Sequence, residues 1–146
     1  YTGTFTLHMS CYASATYRTY VETQGWQDST YDARLSGTYG QQRGLEALQL
    51  NVAGVAGASV RYAVHLINAG WTGESADGQV SGAPGQGHPI EAVRIWLVNA
   101  PAGCNINYQT HYSGNAQGSG SNGQVAGSIG LGLRVEAVSV WLSGCN

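Results

Sequence analysis

Two tryptophans recur at matched places in this chain. Trp26 and Trp71 each follow a glycine and each precede an aspartate, Asp32 and Asp77. In a third version of the same segment Gln117 replaces the tryptophan and Asn122 replaces the aspartate. An indole face packs against the C–H groups of a sugar ring, and Asp and Asn oxygens take its hydroxyls, so the set points to a carbohydrate ligand. The competing reading is that the indoles fill the gap beneath a turn and that Asp77–Gly78 is only a hairpin. Glu46, Glu91 and Glu136 form another matched series, each at the head of an apolar row. A carboxylate there needs a partner, because unpaired burial costs several kcal/mol. It is either a ligand acceptor or a clamp on backbone N–H groups or a Tyr hydroxyl at a loop base, and the clamp is favoured because buried polar groups are normally satisfied internally. Tyr20, His65 and His111 form the last series and point away from the apolar face. Their spacing matches no known metal motif, so neither metal nor cofactor is expected.

The composition excludes several classes of function. The chain has 146 residues, a formal charge of −2, 22 glycines, nine tyrosines and no lysine. It has no basic footprint for nucleic acid. No apolar run approaches a membrane span, so no membrane insertion is expected. Only 10% of residues are charged. Solubility therefore rests on Gly, Ser, Thr, Asn and Gln, as in many extracellular β proteins. The start at Tyr1 rather than Met is what a processed, secreted chain would show. No nucleophile elbow, zinc-protease helix or phosphate loop is present, so no catalytic residue is assigned and an enzyme is not expected.

These residues sit in an internal repeat. Gly37, Gly82 and Gly127 recur every 45 residues, as do Gly40, Gly85 and Gly130 and the three glutamates. The expected organisation is a single domain over 1–146, with a leader strand at 1–11 and copies at 12–56, 57–101 and 102–146. Repetition suits multivalent binding, where linked weak sites gain avidity, better than a single asymmetric active site.

Each copy reads as short strands and turns with no helical period. The fold expected is all-β with pseudo-threefold symmetry, a β-prism-like arrangement, with a β-trefoil as the alternative. Alternation puts Val60, Tyr62, Val64 and Leu66 on a core face, with Arg61, Ala63, His65 and Ile67 opposite. In the last strand of copy two it puts Glu91, Val93, Ile95 and Leu97 on the core face. Ile90, Ala92, Arg94 and Trp96 fall on the other face.

The segments Val60 to Trp71, Asp77 to Gly82, and Gly85 with Ile90 to Ile95 together resemble the clostridial hydrophobic W repeat. The resemblance covers nearly all of copy two and much of copy three. In copy one it covers the Gly-Trp and Gly-to-Glu parts. It implies a secreted or surface protein of a Gram-positive bacterium that acts in adhesion or surface binding. The Trp, Asp and Asn sets add the expectation of a lectin-like protein whose partners are glycans or glycoconjugates. The alternative is a structural module that assembles with itself, as a homo-oligomer, or with a surface protein. Copies one and two are expected to bind and copy three to be weaker.

Three cysteines are present. Closure of a threefold ring brings the end of copy three to the start of copy one, and a Cys11–Cys145 disulfide is expected there. The competing pairing is Cys104–Cys145, because both residues follow the last strand of a copy.

Overall fold

A computed structural model describes residues 12–112 and 117–145. The leader 1–11 with its Cys11, and Ala116, lie outside the described residues. Among the described residues there is no helix, so none long and apolar enough to cross a membrane. The fold is all-β, with one sheet per copy, in a prism-like arrangement rather than the closed barrel of a trefoil.

Copy one supplies β1 (Ser14–Val21), the two-residue strands β2 (Gly25–Trp26), β3 (Thr30–Tyr31) and β4 (Ser36–Gly37), and the long β5 (Leu45–Ala53). Copy two repeats the series as β6 (Ser59–Leu66), β7 (Gly70–Trp71), β8 (Ser75–Ala76), β9 (Ser81–Gly82) and β10 (Ile90–Val98). Copy three has β11 (Asn105–Tyr112), β12 (Gln117–Ser121), β13 (Ala126–Gly127) and β14 (Val135–Ser143). The centre of each sheet is the antiparallel pair of first and last strands, β1 with β5, β6 with β10, and β11 with β14.

The copies are tied together by exchanged edges. β9 of copy two pairs with β5 of copy one, and β13 of copy three pairs with β10 of copy two. β4 of copy one pairs with β14 of copy three, which closes the ring. The 45-residue glycine series exists for this exchange. At Gly82 φ is +116°, and an added Cβ would lie 2.8 Å from the Ala47 Cα and press into the Glu46 carbonyl oxygen. Gly37 and Gly127 meet Glu136 and Glu91 in the same way.

The core is one cluster at the centre of the three sheets. Tyr17, Tyr62 and Tyr108 are buried in it, and their hydroxyls donate to the carbonyl oxygens of Arg34, Gln79 and Gln124. Burial pushes all three phenols above their ordinary pKa. The first-strand alternation is as expected, with Val60, Tyr62, Val64 and Leu66 all buried.

The last strands do not alternate strictly. Ile90, expected on the outer face, is fully buried beside Val93 and Ile95. A β-bulge is the cause. Ile90 pairs with Leu66 and Ala92 pairs with His65, so Glu91 is the extra residue. Glu46 lies between Leu45 and Ala47, and Glu136 between Val135 and Ala137, in equivalent bulges. One inserted residue changes the parity of the strand. The glutamates therefore leave the apolar row that strict alternation assigned to them.

The disulfide is Cys104–Cys145, not Cys11–Cys145. Asn105 of β11 pairs with Ser143 of β14, and the chains just beyond this pair bring the two cysteine Cα atoms to 4.2 Å. The bridge lies within copy three, and the seam with copy one is closed by backbone hydrogen bonds of β4 instead.

Candidate functional site

The bulged glutamates act as clamps between copies. The Glu46 Oε1 accepts the Gly85 N–H at 2.8 Å, and its backbone carbonyl accepts the Ala83 N–H at 3.0 Å. The Glu91 Oε1 takes the Gly130 N–H at 3.3 Å, and the Glu136 Oε1 takes the Gly40 N–H at 2.9 Å. Each glutamate thus straps down the glycine loop of the next copy, with copy three holding copy one. All three carboxylates are buried, at 2–3% exposure.

Above each clamp sits the Tyr20, His65 or His111 series. Cross-strand pairing sets Tyr20 opposite Trp26, His65 opposite Trp71 and His111 opposite Gln117. In copy two the His65 and Trp71 rings meet edge to face at 5.1 Å. In copy one Tyr20 and Trp26 do so at 5.5 Å. The His65 Nδ1 lies 2.7 Å from the Glu91 Oε2. His111 is buried against Tyr39 of copy one at 5.0 Å, and desolvation holds its imidazole below the ordinary pKa. Among the described residues its Nδ1 has no hydrogen-bond partner, and neither does the Thr38 hydroxyl in the strap over Glu136.

Two arginines complete the outer faces. Arg18 lies over Trp26 at 4.6 Å, and its Nε donates to Gln49. Arg94 lies 5.9 Å from the Trp71 ring centre and 4.8 Å from that of Trp96. Copy two therefore presents a continuous indole–guanidinium–indole surface, on which Trp71 is 40% exposed and Trp96 is half-buried. Trp141 holds the Trp96 position in copy three and Asn51 holds it in copy one. Sequence reasoning placed Arg94 beside Trp96 but assigned no site role to Arg18 or Arg94. Their i±2 spacing to Tyr20 and Trp96 was the available signal. That an indole from another strand stands over each arginine depends on the sheet order.

Asp32, Asp77 and Asn122 do not join the tryptophans. Their Oδ1 atoms accept the N–H groups of Ala15, Val60 and Ile106 at 2.9, 2.9 and 3.1 Å. These sites are at the start of each first strand, roughly 16 Å by strand rise from Tyr20, His65 and His111. All three residues have positive φ, 42°, 42° and 50°, which Asn and Asp tolerate best after Gly. The pairing of Trp71 with Asp77 as one ligand cradle is thus replaced by Trp71 with His65.

The Asp77 carboxyl is held below its ordinary pKa, first by the Ser59 hydroxyl and then by the Val60 N–H. A carboxyl lowered in the folded state stabilises fully above its unfolded pKa, and that share is lost as pH falls through the folded value. Asp77→Asn is expected to be tolerated at neutral pH, because Asn122 already makes the same bond in copy three. It is also expected to remove the contribution of Asp77 to acid unfolding. Melting temperatures of both proteins between about pH 7 and pH 3 check this. A variant that unfolds at neutral pH, or whose acid profile matches the parent, would contradict it.

Among the described residues no group of three or more His, Cys, Asp or Glu is placed to hold a metal. No curated protein and no solved structure matches the chain. A family does match. Clostridial hydrophobic W covers residues 20–54, 65–99 and 116–144. The first two matches open at Tyr20 and His65, the third opens after His111, and all three end beyond the bulged glutamate, so each takes in the strap glycines and the clamp together. With three tandem matches spanning more than half of its length, this chain belongs to the clostridial hydrophobic W family.

Proposed function

We propose that the chain is a secreted, multivalent, lectin-like protein that binds glycans in surface adhesion or agglutination. The observation that carries this reading is the outer face of copy two. There Trp71 is 40% exposed, propped edge-on by His65 and flanked by Arg94. Copy one offers the same arrangement as Trp26, Tyr20 and Arg18. A rigid indole with polar groups at its edge suits a sugar ring, whose C–H face stacks while its hydroxyls are bonded. Repetition around a closed ring adds avidity without any new contact. Asp32, Asp77 and Asn122 contribute by fixing the strand ends, since their acceptor oxygens are engaged.

Trp71→Ala is expected to weaken glycan binding by roughly five- to thirtyfold while the melting temperature shifts little, because a half-exposed stacking ring contributes about 1 to 2 kcal/mol. Trp26→Ala is expected to act in the same direction, and changes at Gln117 to have no effect. A glycan array followed by calorimetry on the hits reads this. Binding that survives loss of both tryptophans, or that resides in copy three alone, would defeat the proposal.

A second reading, a module that assembles with itself or with a surface protein, has its own support. Leu35, Val80 and Val125 occupy one repeat position and are 48%, 44% and 44% exposed. Each copy thus presents one matched aliphatic side chain on the surface that a partner could cover. Sedimentation without sugar separates the readings. Assembly there, together with a blank glycan array, favours the module.

A further inference from the structure

Arg94 differs from Arg18 and Arg61 in its surroundings. Arg61 has Glu74 at 3.0 Å, and Arg18 donates to Gln49 at 2.6 Å. Arg94 is exposed and, among the described residues, has no carboxylate within 4.0 Å and no hydrogen-bond acceptor. Its guanidinium stands between the Trp71 and Trp96 rings, at 5.9 and 4.8 Å. Trp96 forms a wall of an open cleft of about 560 Å³ that runs past Asn99 and Pro101 to the Asn122–Gly123 turn of copy three. That is within the usual range for a small-ligand site. The residues lining it include one cation and no carboxylate. The Asn122 side chain is committed to Ile106 and Asn105, whereas the Asn99 amide makes no hydrogen bond among the described residues.

The cleft therefore offers a cation without a counter-ion, an amide without a partner and an indole face. Arginine presents a planar fork that matches a carboxylate with two parallel hydrogen bonds, and such charge-assisted bonds are roughly twice as strong as neutral ones. We propose that this cleft takes an acidic saccharide. Arg94 holds the carboxylate of a uronic or sialic acid residue, Trp96 stacks on a sugar ring, and the Asn99 amide bonds a hydroxyl. The free amide and the flat indole suit ring hydroxyls and C–H groups, which favours a sugar over an acidic peptide. The inference rests on the glycan-binding reading and adds the charge of the ligand and its second contact surface, beyond Trp71.

The test is calorimetry with tetragalacturonate, a hyaluronan tetrasaccharide and 3′-sialyllactose, each beside its carboxyl methyl ester. The expected result is that at least one acid binds about tenfold tighter than its ester, with an affinity that falls as salt rises. Arg94→Gln is expected to abolish that preference, so that acid and ester bind equally, while Arg94→Lys retains part of it. Trp96→Ala is expected to weaken acid and ester alike. Because Arg94 is exposed and unbonded, circular dichroism of Arg94→Gln should match the parent. Esters that bind as well as acids, or a preference that survives Arg94→Gln, would overturn the acidic-ligand inference and leave glycan binding standing. If no acidic or neutral glycan binds, both fall. A tetraglutamate peptide that binds as tightly as the acids would overturn the saccharide in favour of a protein partner.

Discussion

Gly82→Ala is expected to destabilise the protein by about 3 kcal/mol. Two costs combine there. The backbone sits at φ +116°, where an L side chain is strained, and the new methyl would strike the Glu46 carbonyl oxygen and the Ala47 Cα. Both struck atoms are backbone of the bulge in β5, so neither can move without disturbing the pairing that joins copy two to copy one. Gly87 is the control. Its φ is +78°, but nothing lies within 4 Å of an added Cβ. Gly87→Ala should cost only the left-handed backbone strain, about 1 to 2 kcal/mol, without the clash. Urea denaturation of the two variants measures the contrast. Equal midpoints would mean that the exchanged edge does not hold the ring together. Gly37→Ala carries the same prediction for the seam between copies three and one, the contact that closes the ring.

Replacing both Cys104 and Cys145 with serine should lower the stability by about 4 kcal/mol, on chain entropy for a crosslink between residues 41 apart in sequence. The double substitution leaves neither half as an unpaired thiol. The loss should be felt first in copy three, because the bridge staples the open ends of β11 and β14 just beyond the Asn105–Ser143 pair. Amide exchange at Ile106 and Leu142 should therefore rise more than at Val60 and Leu97, the equivalent pair of copy two, where no disulfide exists. Chemical denaturation gives the global value and exchange gives the distribution. A stability unchanged by the double substitution, or exchange that rises equally in all three sheets, would count against a local staple. Non-reducing peptide mapping checks the pairing itself.

The residues alone determined the repeat, the strand character and the inward face of each first strand. A 45-residue glycine and glutamate register is visible because identical local needs recur at identical places. Val60, Tyr62, Val64 and Leu66 show their face because strand side chains alternate. The preference for the glutamates as clamps was also legible, since a carboxylate at the head of an apolar row must be satisfied within the protein. Their exact placement was not. A bulge changes strand parity without leaving a mark in composition, and only the pairing of Ile90 with Leu66 and Ala92 with His65 reveals it.

Tertiary structure alone decided which parts meet. Trp71 and Asp77 are six residues apart and look like one cradle, yet β7 pairs at the far end of β6 and the Asp77 side chain caps its near end. Arg94 is 23 residues from Trp71 and shares a surface with it, because β10 and β7 flank β6 on either side. The ring closure expected of Cys11 and Cys145 is made by Ser36 and Gly37 on β14, while Cys145 turns back to Cys104. Each of these differences has one physical origin. Local sequence sets the pattern of a strand, but backbone hydrogen bonds between distant strands choose its neighbours, and those neighbours make the site.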